Sequence, residues 1–252
     1  TDLALVTYEG FLAPDSLMAL DTANDRWETL QSLPARFDAS GLSVRQEFAI
    51  SSDGVRVPYF VIGASDLRLD GNNPAYLYGY GGFEVSLTPF YSGIYGKLWM
   101  EKGGVLVIAN IRGGGEYGPA WHQAALKENR QRAFDDFHAV AEDLIDRGIT
   151  SPEHLGIGGG SNGGLLVGVA FTQRPELYGA VFCAVPLLDM LRYHALPPGA
   201  SWISEYGDPR VASEREVIAR YSPYQNLAAD AKYPPVFLYT STRDDRVHPG
   251  HA

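Results

Sequence analysis

The chain has 252 residues, 45% of them hydrophobic and 20% charged, the composition of a globular domain with a sizeable core. Its net charge of −10 speaks against a nucleic-acid backbone as partner, and it holds no run of 18 apolar residues to cross a membrane. The single cysteine, Cys183, has no partner for an internal disulfide; within the apolar run Val181 to Val185 it is expected to be a buried packing residue. Thr1 to Leu5 show neither the basic start nor the apolar segment of a signal peptide. Both ends read as cuts within a longer chain, and the compartment stays open, with the cytoplasm placed ahead of the periplasm.

Residues 1–40 read as three short strands, Leu3 to Gly10, Ser16 to Asp21 and Arg26 to Leu30, spaced about ten residues apart like part of a β-propeller blade. Three such strands cannot bury a face alone, so neighbours are expected beyond them; the alternative is a hairpin packed on the main domain. Phe37 to Gly41 reads as the linker. From Ser43 the pattern changes. Val44 to Ile50 and Val55 to Ile62 flank the turn Ser51-Ser52-Asp53-Gly54 and predict a hairpin. Pro74 to Tyr80 reads as an apolar strand running into Gly81-Gly82, and Gly104 to Asn110 as a fully buried strand of the parallel-sheet kind. Arg130 to Arg147 predicts an amphipathic helix, with Phe134, Phe137, Val140, Ala141, Leu144 and Ile145 at three- and four-residue steps. Further strands are expected at Val181 to Leu188 and Pro235 to Thr240. Strands alternating with helices after an antiparallel hairpin define an α/β sheet, whose site lies at the carboxyl ends of the strands. Those ends carry Tyr80, Ser161 and Asp244.

The segment Gly156 to Gly164 contains Gly159-x-Ser161-x-Gly163, the pattern of a nucleophile elbow. A serine at the tip of a strand-to-helix turn needs tiny flanking residues, because side chains would collide across the turn. Leu155 to Ile157 supplies the end of a strand, and Leu165 to Phe171 the buried helix that follows. Gly158-x-Gly160-x-x-Gly163 also matches a dinucleotide fingerprint. That fingerprint calls for an acid about 20 residues on, whereas the nearest candidate, Asp189, stands 26 residues past Gly163, and strand-like segments precede the motif instead of following it. The elbow is therefore the preferred reading.

Four motifs together, Tyr78 to Phe83, Asn110 to Gly118, Gly159 to Gly164 and Asp244 to Val247, resemble the prolyl oligopeptidase family of serine peptidases, over about residues 40–252. The resemblance implies an α/β-hydrolase catalytic domain over 41–252, truncated at its C-terminus, preceded in 1–40 by the end of a propeller blade. It implies a nucleophile at Ser161, an oxyanion hole from the Asn162 backbone N–H and the Tyr80 hydroxyl, and Asp244 as the acid that orients a histidine. The residues alone do not choose between Asp244 and Asp245. Arg246 would hold a substrate carbonyl; otherwise it is a solvated charge or a partner for Asp245. Phe83, Leu187, Trp202, Tyr206 and Val247 match the lining of a proline pocket. The implied substrate is a short peptide cut after proline, with no cofactor and no metal.

Chain order in this fold is Ser, Asp, His. Only His248 and His251 follow Asp244, with no strand between, so both are expected to be loop residues and the catalytic histidine is placed beyond residue 252. The remaining propeller and a C-terminal segment of the same parent chain are the expected partners, and the fragment by itself is expected to be inactive. Alternatives on this scaffold are an oligopeptidase of basic-residue specificity, suggested by Glu205 and Asp208, and an esterase or acyl-peptide hydrolase. An inactive α/β-hydrolase acting as a binding module is the non-enzymatic alternative.

Overall fold

A computed structural model describes residues 2–252 in two sheets. The first is antiparallel and three-stranded: β1 (Leu3–Tyr8), β2 (Ser16–Asp21) and β3 (Arg26–Ser32), in that order. Every residue of β3 is exposed, as are Leu3, Leu5 and Trp27, so this sheet covers little of its own apolar surface.

The second sheet has seven strands: β4 (Leu42–Ile50), β5 (Arg56–Ala64), β6 (Ala75–Gly79), β7 (Val105–Ala109), β8 (Leu155–Gly160), β9 (Ala180–Ala184) and β10 (Val236–Tyr239). Their order is β10-β9-β8-β6-β7-β5-β4. β5 pairs antiparallel with both β4 and β7, while β7, β6, β8, β9 and β10 pair in parallel. The expected hairpin is present, and β5 is the one strand that runs against the others. The chain goes from β6 to β7 on one side and returns to β8 on the other, so the order reverses at β6. A crevice opens at such a reversal, outside the carboxyl ends of the strands.

Alternation along the strands divides the core. Val61, Leu77, Val105, Val107 and Ile157 face helices α3 (Gln131–Asp146) and α4 (Asn162–Gln173), meeting Phe134, Phe137, Val140, Leu144, Leu165 and Leu166. Ile62, Leu106 and Ile108 face the opposite way, toward Met100, Phe11 and Phe37, beside the short helix α1 (Gly93–Leu98). Phe37 therefore corrects the reading of 37–41 as a plain linker: it is buried and stacks on Tyr91, with ring centroids 5.1 Å apart. Burying an aromatic ring favours one docked arrangement over a free tether. Cys183 is fully buried as expected, and burial pushes its thiol up to about 12. The predicted strand from Val181 ends sooner, at Ala184, because Val185 turns to φ 37° and leads the chain out of the sheet. Five helices carry no sequence expectation: α1, α2 (Pro119–Gln123), α5 (Ile203–Tyr206), α6 (Ala212–Tyr221) and α7 (Pro223–Asn226).

Candidate active site

β6 and β8 are neighbours, with Tyr78 opposite Gly158, so the residues just past their ends meet. Tyr80 leaves β6, and Ser161 stands between β8 and the first turn of α4. Ser161 has φ 58° and ψ −118°, a conformation that L-residues avoid, and its N–H donates to the Ala184 carbonyl at 3.0 Å. The elbow geometry explains the glycines around it. A Cβ on Gly159 would lie 2.2 Å from the Gly163 carbonyl oxygen, and one on Gly158 would lie 1.7 Å from the Tyr76 hydroxyl. Gly158 is thus small to admit Tyr76, and the dinucleotide pattern is a by-product of packing. Asp189 lies beyond the end of β9, where its carboxylate is held by Arg192 and Gln225.

A cavity of about 310 Å³ opens over Ser161. It is lined by Tyr80, Phe83, Leu187, Trp202, Tyr206, Arg246 and Val247, all singled out in the sequence, together with Val85 and Pro198. Phe83 and Tyr206 meet edge to face at 5.6 Å, and Tyr206 is itself backed by Tyr193 at 5.5 Å. Arg246 is the only charged residue of the lining; it is exposed and forms no ion pair among the described residues, with Asp245 or any other acid. Burial raises the Tyr80 hydroxyl above its ordinary pKa, and its interaction with the Ser161 side chain opposes that shift. The phenol therefore keeps its proton at neutral pH and remains a donor. Asn162 opens α4, where backbone N–H groups have no partner within the helix.

Asp244 and Asp245 differ. Asp244 is partly buried, and its Oδ1 accepts the backbone N–H groups of Arg246 at 3.0 Å and Val247 at 2.8 Å, whereas Asp245 is exposed. No histidine is hydrogen-bonded to Asp244 or Ser161 among the described residues. His122 pairs with Glu205, His138 with Tyr178, and His154 with Ser151. His248 Nδ1 accepts the Gly250 N–H, and His251 Nδ1 accepts the Asp189 N–H.

Glu205 and Asp208, entertained as a basic-substrate signal, are both engaged by cations of the chain itself, Glu205 in the interior and Asp208 at the surface. Glu205 is buried, bound to Arg130 at 3.0 Å, to His122 at 2.7 Å and to the Phe83 N–H at 2.9 Å. Asp208 is forked by Arg210, which holds its pKa at about 2. Arg130 is the residue that sequence reasoning missed. It sits at the start of α3, where a charge normally faces solvent, yet it is fully buried behind Asn162.

A strained serine at a strand-to-helix turn, on the carboxyl edge of a mostly parallel sheet with one antiparallel strand, places the protein in the α/β-hydrolase class. The Prolyl oligopeptidase family pattern matches residues 93–252, and the chain belongs to that family. It is 54% identical over its full length to an uncharacterized peptidase of Sinorhizobium fredii, and covers 35% of that protein. It is 38% identical to a prolyl endopeptidase of Elizabethkingia miricola, over 98% of this chain and 35% of the relative. A solved post-proline cleaving enzyme from Rickettsia typhi superposes with a TM-score of 0.93 at 47% identity, over 99% of this chain and 36% of that one. The chain thus spans about a third of the length of the relatives it matches.

Proposed function

We propose that this chain is the catalytic portion of a longer serine oligopeptidase that cuts short peptides after proline. One observation carries the reading: Ser161 in its strained turn lies in the same cavity as the Tyr80 hydroxyl and an aromatic, uncharged wall of Phe83, Trp202 and Tyr206. The proline ring would pack against that wall, placing its carbonyl carbon at Ser161. Ser161 Oγ attacks the carbonyl and passes its proton to a histidine from beyond residue 252; the amine leaves with a proton from that histidine, and water then cleaves the acyl-enzyme. Tyr80 O–H and the Asn162 N–H donate to the oxyanion, and Asp244 orients the histidine. Arg246 donates to a substrate carbonyl. Residues 1–40 contribute the end of a propeller blade, and 41–252 the hydrolase domain.

The lining also argues against basic-residue specificity, since its one charge is a cation and Glu205 is spent on Arg130 and His122. Hydrolysis rates for matched proline, alanine and arginine anilides and a short acyl ester, measured on the full-length protein, test the reading. A proline preference is expected; equal rates on alanine, or a preference for arginine or the ester, would refute it.

A further inference from the structure

Behind the cavity runs a continuous buried hydrogen-bond network that joins its aromatic wall to the residues beside Ser161. The Asn162 side-chain carbonyl accepts from Arg130 at 2.6 Å and from the Tyr206 hydroxyl at 2.7 Å, which fills both of its lone pairs. Its amide nitrogen is thereby turned the other way and donates to the Tyr80 backbone carbonyl at 2.5 Å. The same guanidinium binds Glu205 at 3.0 Å. That carboxylate accepts the N–H of Phe83, a residue at φ 56°, at 2.9 Å. One cation therefore fixes the Tyr80 loop, the first residue of α4 and the strained Phe83 turn.

Arg130 is fully buried, its face lies over the Tyr206 ring at 5.2 Å, and its Nε has no partner among the described residues. A buried pair of this kind is a poor stabiliser compared with apolar packing of the same volume. Its geometry matters more than its energy: a planar fork meets Glu205 and Asn162 at once, which a lysine ammonium cannot do in the same way.

We infer that Arg130 is a positioning residue, which sets the Asn162 amide and through it the Tyr80 loop, so that both oxyanion donors are held in place before substrate arrives. This rests on the proposed serine peptidase reading. Arg130 does not line the cavity, so its effect falls mainly on the rate of chemistry, and to a smaller extent on pocket binding through Phe83 and Tyr206. A misplacement of about 1 Å at such a site costs on the order of 10²-fold in rate.

The test uses the full-length protein, with steady-state kinetics on a proline anilide, thermal melting, and fluorophosphonate labelling of Ser161. Arg130→Lys keeps the charge and should lower kcat by about 10-fold with a smaller change in KM. Arg130→Met should lower kcat by about 10²-fold and also lower Tm, because Glu205 is left buried without its cation. Arg130→Met combined with Glu205→Gln removes both charges and should regain Tm while kcat stays low, since the Asn162 carbonyl keeps the Tyr206 hydroxyl but still lacks its Arg130 donor. Recovery of kcat together with Tm in the double variant would make Arg130 purely structural and overturn the inference. So would an Arg130→Lys variant with wild-type kcat. A wild-type protein whose Ser161 does not label would instead overturn the nucleophile assignment and the inference with it.

Discussion

The backbone N–H of Asp189 donates to Nδ1 of His251 at 3.2 Å, so one of the two histidines that follow Asp244 is committed to a structural contact. An accepting Nδ1 places the proton on Nε2 and keeps the ring neutral. Burial, the dominant cause, pushes His251 down to about 4, although the nearby Asp189 carboxylate favours the charged form. The unfolded chain therefore binds a proton between about pH 6.5 and 4 that the folded one does not. Stability is full above that window and falls as pH drops through it, by about 1.4 kcal/mol per unit of pKa difference. Buried His138, also shifted down, acts in the same direction. Urea unfolding from pH 7 to 4 should show a shallower loss for His251→Gln than for the wild type. Parallel curves would mean that His251 titrates normally in the folded state.

Ser161→Ala in the full-length protein should abolish acyl transfer, by about 10³-fold or more, and leave melting within a few degrees of wild type. The alanine inherits the strained backbone but loses only a hydroxyl. Turnover near the wild-type level would take Ser161 out of the chemistry.

Tyr80→Phe should slow chemistry by about 10²–10³-fold while KM changes little, the signature of a lost oxyanion donor. Tyr80 is half-buried and its hydroxyl protonated, and Asn162 grips the backbone carbonyl and not the phenol, so the loop should hold. Weaker binding at unchanged kcat would assign the ring to the pocket wall instead.

Trp202→Ala should erase the proline preference more than it harms hydrolysis in general. The lost stacking is worth on the order of 1–3 kcal/mol. Tyr206 is a poorer probe, because its hydroxyl supports Asn162 and its removal would disturb two functions at once. Equal losses on proline and alanine anilides would make Trp202 a packing residue.

The elbow, the hairpin, the central strands and α3 were legible because each follows from local chemistry: glycines at a tight turn, alternation, or a helical period. Tyr80, Phe83, Ser161, Arg246 and Val247 were legible in motifs that end strands, Leu187, Trp202 and Tyr206 only through the family resemblance, and Tyr80 and Ser161 meet because β6 and β8 are paired. Arg130 and Glu205 were not. They are 75 residues apart, and nothing in either neighbourhood marks a charge as buried. Arg130 begins an amphipathic helix, where an arginine ordinarily faces water, and Glu205 stands among polar residues that read as loop surface. Phe37 was hidden for the same reason: a lone aromatic between polar residues gives no period, and only its docking against Tyr91 reveals it.

Residues 1–252 expressed alone should be inactive and prone to associate. Attack by Ser161 requires removal of its proton, and no histidine among the described residues is bonded to it or to Asp244. Without a base near neutral pH, the step loses most of its catalysis. Asp244 is a poor substitute, since its Oδ1 already accepts two backbone N–H groups. His248 is tied to Gly250, and His251 is buried against Asp189. Association follows from β10, which ends the sheet and leaves all four of its residues exposed, Phe237 at 63% beside the rings of Phe182 and Tyr239. An open edge with an apolar face is a template for pairing with another chain. Sedimentation should show oligomers that grow with concentration, and a fluorophosphonate should label Ser161 no faster than an ordinary serine. Fast labelling that is lost on His248→Ala or His251→Ala would make one of those residues the base and end the case for a histidine beyond residue 252.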